Sequence, residues 1–101
     1  MINKVIVCVD DELLILESIK YELKKVLDKS INIELAESAN EAFDLIDDLV
    51  EDQQKILIIV ADWLMPDIKG DEFLISIHQK YPNIIKILLT GQADEKIINR
   101  V

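Results

Sequence analysis

Cysteine is nearly absent from this sequence: Cys8 stands alone, so no internal disulfide can form. It lies inside an apolar strand pattern and reads as a small buried hydrophobe rather than a reactive thiol. Glycine and proline are scarce too, two of each, while half of the residues are hydrophobic. A chain with few breaks and that much apolar surface is not a disordered segment. No apolar run reaches the roughly 18 residues of a membrane span. The N-terminus, MINKVIVCVDDE, turns acidic too soon for a secretory leader. Basic residues are outnumbered, 11 against 20 acidic, for a net charge of −9. Binding to a nucleic-acid backbone rests on clustered lysine and arginine, so direct nucleic-acid binding is not expected. No internal repeat or low-complexity stretch is visible. The 101 residues have room for one domain, 1–101, and the whole pattern fits a cytoplasmic location with no membrane segment.

What is present is organised around Lys55 to Gly70, KILIIVADWLMPDIKG. Ile56 to Ala61 is an unbroken apolar run, the pattern of a strand buried on both faces of a parallel sheet. It ends at Asp62, after which Met65, Pro66 and Gly70 mark a loop. Open α/β sheets place their ligand crevice beyond the carboxyl ends of the strands, which is where Asp62 stands.

The remaining chain reads as support for that strand. Lys4 to Val9 is a second apolar run, ending in Asp10, Asp11 and Glu12. From Glu12 to about Asp28, Ile15, Leu16, Ile19, Leu23, Val26 and Leu27 recur at three- and four-residue steps, the apolar stripe of a helix. Ile31, Ile33 and Leu35 alternate with Asn32 and Glu34, which predicts a strand at an edge of the sheet. Ser38 and Glu41 form a capping box that opens a helix through about Glu51, with Ala42, Leu45, Ile46 and Leu49 inward. A third helix runs from Gly70 to about Tyr81, turns Phe73, Leu74, Ile77 and Tyr81 inward, and is stopped by Pro82 and Asn83. His78 on that helix has no metal-ligand company and reads as a surface residue. Ile84 to Leu89 is a fourth strand, followed by Thr90, Gly91 and Gln92, and a fourth helix begins near Asp94. Strands alternating with helices imply a parallel sheet covered on both faces.

In such a sheet Asp10, Asp11, Asp62 and Thr90 share one edge. Each has a plainer reading alone: helix caps for Asp10 and Asp11, a loop acid, a turn hydroxyl. Together, at three corresponding strand ends, they favour a site. Three crowded carboxylates repel and raise one another's pKa. A hard cation relieves this, and oxygen-only ligands suit magnesium. A loop carbonyl such as that of Leu64 could complete the coordination sphere.

These residues resemble the receiver domain of two-component response regulators. The likeness is carried by the strand ending in Asp10-Asp11-Glu12, the loop Asp62-Trp63-Leu64-Met65-Pro66 with Gly70, and Leu89-Thr90-Gly91, and it covers the whole chain. It implies a flavodoxin-like α/β fold of three α/β/α layers, with five strands in the order 2-1-3-4-5. It implies that Asp62 takes a phosphoryl group from a phosphohistidine on a sensor histidine kinase or phosphotransfer protein. Asp11 and Asp62 would hold magnesium directly and Asp10 mainly through water. Thr90 would move to the phosphoryl oxygen. Met65 and Pro66 would modulate the loop, and Leu64 and Gln92 would border the approach of hydrolytic water. Such a domain catalyses its own phosphorylation and dephosphorylation and does not act on external metabolites. The chemistry is consistent: a carboxylate can attack phosphorus, magnesium supplies charge neutralisation, and the added charge biases a mobile element.

The family also has a fifth strand ending in a lysine, then a fifth helix, and this chain ends before either. Lys86 is mid-strand and Lys96 lies in the nascent fourth helix, so neither takes the lysine's role. The fourth strand is continuously apolar, as a central strand is, yet would be an edge that invites pairing. Two expectations follow: a longer receiver with an output domain after Val101, or a second copy that covers the edge by dimerisation or exchange. A competing reading is a pseudo-receiver, a protein-interaction module that is not phosphorylated. The missing lysine favours it; the intact acids and Thr90 oppose it. A magnesium-dependent phosphatase with an aspartate nucleophile would carry a second aspartate where Leu64 stands.

Overall fold

Each expected element of residues 3–89, the part that the computed structural model describes, is present. They are β1 (Lys4–Val9), α1 (Leu13–Val26), β2 (Ile31–Ala36), α2 (Ala39–Glu51), β3 (Lys55–Asp62), α3 (Gly70–Lys80) and β4 (Ile85–Leu89). All neighbouring strands pair in parallel, in the order β2-β1-β3-β4. This is the flavodoxin-like arrangement, with β2 at an edge as its alternation predicts. Thr90, Gly91, Gln92 and the expected fourth helix lie outside the described residues.

The period of two along β1 sends Val5, Val7 and Val9 to one face of the sheet and Ile6 and Cys8 to the other, and all five are buried. The first face is covered by α2 and α3 through Ala42, Ile46, Leu49, Phe73, Leu74 and Ile77. Phe43 and Phe73 meet there with ring centroids 5.0 Å apart. Among the described residues the second face is covered by α1 alone, through Leu16, Ile19, Leu23 and Leu27. Burial pushes the Cys8 thiol up to about 11, as an unreactive core cysteine requires.

Two expectations are corrected by the burial of the described residues. β3 is not buried equally on both faces: Ile59 and Ala61 are fully buried towards α2 and α3, whereas Ile58 and Val60 are half-buried towards α1. Within α1, Ile15 is 41% exposed and Val26 78% exposed. The inward line is Leu16, Ile19, Leu23 and Leu27. Ile15 and Val26 each sit one residue, about 100° of helix, away from it. β3 also carries a bulge where it meets β1, between Val5 and Ile6. Leu57 is the extra residue, and it lets Ile56 and Ile59, three apart, point to the same face.

The helix ends are set locally. Ser38 Oγ accepts the Glu41 N–H at 3.1 Å, while the Glu41 carboxylate reaches the Glu37 N–H at 3.3 Å, one residue before the cap. At its far end α2 is tied to the end of α3: the Asp47 carboxylate accepts from Lys80 Nζ at 2.9 Å and from the Tyr81 hydroxyl at 2.8 Å. His78 is exposed, as expected, with Lys86 Nζ 2.9 Å from its Nδ1. Among the described residues no helix is long and apolar enough to cross a membrane.

Candidate functional site

β1 and β3 are adjacent and parallel, so Asp10 and Asp62 emerge side by side at one edge of the sheet. The Asp10 N–H donates to the Ala36 carbonyl at 3.1 Å, which extends the β1–β2 ladder by one residue. Asp10 is 4% exposed and is the only buried polar side chain among the described residues. Its Oδ1 accepts the Glu12 N–H at 2.9 Å, so it also settles the start of α1, whose N-cap, Glu12, makes no side-chain cap of its own. Asp11 is exposed and Asp62 half-buried. One carboxylate oxygen from each of the three lies within 4.8 Å of the others.

Burial pushes Asp10 up to about 6. The Glu12 N–H works against the shift, and the charges of Asp62 and Asp11 add to it. Asp62 is raised as well, by burial first and by Asp11 next, against the Trp63 and Leu64 N–H groups. Mutual repulsion, the cause expected from sequence, is therefore the smaller contribution, and loss of water is the larger. The donor set is all oxygen, and among the described residues no cation pairs with it, which fits a hard dication such as magnesium.

The loop after Asp62 is held against the sheet end. The Trp63 N–H donates to the Leu89 carbonyl at 2.8 Å, and the Gly70 N–H to the Trp63 carbonyl at 2.9 Å. A Cβ on Gly70 would overlap the Asp62 carbonyl oxygen and stand 2.9 Å from Leu88 Cδ1, so only glycine lets α3 start there. Met65 packs against the core under α2 and α3, Pro66 is exposed, and Leu64 is 68% exposed beside the acids. Thr90 and Gln92, expected at the same edge, lie outside the described residues.

One residue of this loop escaped sequence reasoning. Asp67 Oδ1 accepts the Ala39 N–H at 3.2 Å and Oδ2 the Asn40 N–H at 2.9 Å, while the Ile68 N–H donates to Oδ1 at 3.0 Å. Desolvation opposes the charged form, but these hydrogen bonds together outweigh it and hold the carboxyl below its usual range. No periodicity or spacing signals a contact that spans 27 and 28 residues.

A four-stranded parallel sheet in this order, with three acids at the ends of its two central strands, defines an acidic-site α/β domain of the receiver type. The family model for the response regulator receiver domain matches residues 6–101, and the chain belongs to that family. It is 30% identical over 76 residues to the hydrogenase transcriptional regulatory protein HoxA of Cupriavidus necator. That match takes in 75% of this chain and spans only 15% of the relative's length. Among solved structures it is similar to the signal receiver domain of an HD domain-containing protein from Pseudomonas fluorescens, with a TM-score of 0.77 and 26% identity. The match covers 99% of this chain and 68% of that one. It is also similar to a CheY-like response regulator receiver domain from Methanospirillum hungatei, with a TM-score of 0.74, 30% identity, and coverage of 92% and 68%.

Proposed function

We propose that Asp62 accepts a phosphoryl group from a phosphohistidine on a sensor histidine kinase or phosphotransfer protein, in a magnesium-dependent reaction. The phosphorylated domain then switches an output domain or partner. The observation that carries this reading is the convergence of Asp10, Asp11 and Asp62 oxygens within 4.8 Å. A carboxylate oxygen of Asp62 attacks phosphorus in line. The phosphorus–nitrogen bond breaks, its electron pair returns to the imidazole, and an acyl phosphate remains on Asp62. Asp62 is half-buried, open enough to meet a donor; buried Asp10 and exposed Asp11 flank it. Asp10, Asp11, Asp62 and the Leu64 carbonyl are the groups that would hold magnesium. Bound there, it would neutralise the charge that builds between nucleophile and phosphoryl oxygens. We assign to the Thr90 hydroxyl the hydrogen bond to the phosphoryl group.

The output is read more broadly. HoxA is named as a transcriptional regulator and the Pseudomonas relative as an HD domain-containing protein. Receivers of this kind are thus joined to unlike effectors, and the reading here is control of an output domain or partner in the cytoplasm without a choice among them. The test is acetyl phosphate with magnesium, followed by intact-mass spectrometry. One phosphoryl adduct is expected, lost with a chelator and lost in Asp62→Asn. An unmodified wild type would overturn the reading and leave a protein-interaction module.

A further inference from the structure

The loop from Asp62 to Gly70 is anchored at both ends by different devices. Its base is locked to the sheet by the Trp63–Leu89 and Gly70–Trp63 backbone bonds. Its tip is locked to α2 by Asp67, whose two oxygens take the N–H groups of Ala39 and Asn40. Between the anchors lie Leu64, Met65 and Pro66. Met65 and Ile68 bury apolar surface, but such contacts are non-directional and do not fix where a neighbouring carbonyl points. Asp67 supplies direction: charge-assisted bonds to two fixed donors, at the positive end of a helix.

We propose that Asp67 is a positioning residue for the metal site. By tying the loop tip to the first turn of α2, it holds the Leu64 backbone where its carbonyl can serve a cation bound by Asp10, Asp11 and Asp62. The proposal rests on the magnesium-dependent reading above and names a residue outside the ligand set. Its rival is that Asp67 merely caps α2. The chain contains the control for that rival. Ser38 caps the same helix through the Glu41 N–H and makes no hydrogen bond to the loop. A residue that matters only to the helix should behave as Ser38 does.

The experiment titrates magnesium chloride alone into the full chain, wild type and variants, and follows Trp63 fluorescence and the Ala39 and Asn40 amide resonances. In the wild type both amides shift with magnesium, because the tether carries the loop's response to α2. Asp67→Ala weakens magnesium binding by up to about fivefold, the equilibrium equivalent of one lost cap, and the two amides stop responding. Ser38→Ala leaves the magnesium affinity unchanged. Asp67→Asn, which keeps one acceptor oxygen, falls between wild type and Asp67→Ala and gives the readout if the alanine variant does not fold. Equal weakening in Asp67→Ala and Ser38→Ala would overturn the proposal, as would unchanged affinity in both Asp67 variants; either leaves the site itself standing. A wild type whose fluorescence and amides ignore magnesium would sink the site and the proposal together.

Discussion

Asp47 and Asp67 lie where helix ends meet other segments, and each finds its partners within the chain. Asp47 takes Lys80 and the Tyr81 hydroxyl, and Asp67 takes three backbone N–H groups. Both carboxyls are held below their usual range. At the ends of β1 and β3 the balance is reversed. Asp10 and Asp62 lose water, face each other and Asp11, and are pushed up. Residues of one type are thus used in two ways. At helix ends the fold supplies donors and gains stability. At the strand ends the backbone donors are outweighed by burial and by neighbouring acids, and the remaining charge can be met by a cation from outside.

The largest effect is expected where the site is pried from the sheet. Gly70→Ala drives a Cβ into the Asp62 carbonyl oxygen. The obstacle is backbone, so the cost should reach the top of the roughly 1–3 kcal/mol range of overpacking or pass it. A lower urea midpoint and the loss of the phosphoryl adduct should appear together. A Gly70→Ala protein with wild-type stability and full phosphorylation would show that α3 can start elsewhere.

The two kinds of acid respond to pH with opposite signs. Asp10 titrates near 3.8 unfolded and near 6 folded. Between those values the folded state holds more protons, so stability falls as pH rises through about 6. The difference of roughly two units sets an upper limit of about 3 kcal/mol. Asp47 and Asp67 are lowered, so their contribution is present at neutral pH and is lost as pH falls through their folded values, below 3.8. Metal-free protein should therefore gain melting temperature between pH 7 and pH 5. Asp10→Asn should reduce that gain and leave the part that the raised Asp62 contributes, and magnesium at pH 7 should reproduce the gain of the wild type. A melting temperature that rises with pH over that interval would contradict the assignment.

Among the described residues beside the acids, Leu64 offers no donor to an approaching water. Leu64 is exposed beside the acids and cannot orient a water molecule. Positioning dominates phosphoryl transfer, so the phosphorylated state should be long-lived. Leu64→Asn should speed its decay by about tenfold, the effect of orienting one reactant modestly better. Decay followed by intact mass decides it, and an unchanged lifetime would place control of water access elsewhere.

The site was legible where one periodicity and one topology sufficed. Asp10 and Asp62 each end an apolar run, and a parallel sheet brings such ends to one edge whatever the side chains do. β2 declared its edge by alternation, and α2 its start by Ser38 and Glu41. The unreadable parts depend on what covers what. Ile15 and Val26 look like core until the rotation of α1 against the sheet is known. The bulge at Leu57 is invisible in an unbroken apolar run. Asp47 and Asp67 are two acids among 20, and their partners come from segments that only the fold brings near. Burial as the main cause of the raised Asp10 needed the position of every neighbour.

The smallest effect separates the two partners of Asp47. Lys80 Nζ and the Tyr81 hydroxyl reach the same oxygen, Oδ1. The lysine side chain is 60% exposed, so its attraction is screened and offset by the entropy of holding a long side chain. Such a pair contributes little. The tyrosine bond is partly buried, and its ring packs against the core under α2 and α3, so the hydroxyl is already placed by burial and gives up little further freedom. A hydrogen bond to a charged group in that setting contributes about 1.5–3 kcal/mol at most. Tyr81→Phe should therefore destabilise more than Lys80→Ala, although the lysine carries the formal charge. Added salt should erase the Lys80→Ala difference and leave that of Tyr81→Phe. Urea denaturation at low and high ionic strength decides the order. If Lys80→Ala is the costlier change at both, the charge rather than the buried hydroxyl fixes Asp47, and the tie between α2 and α3 is an ion pair after all.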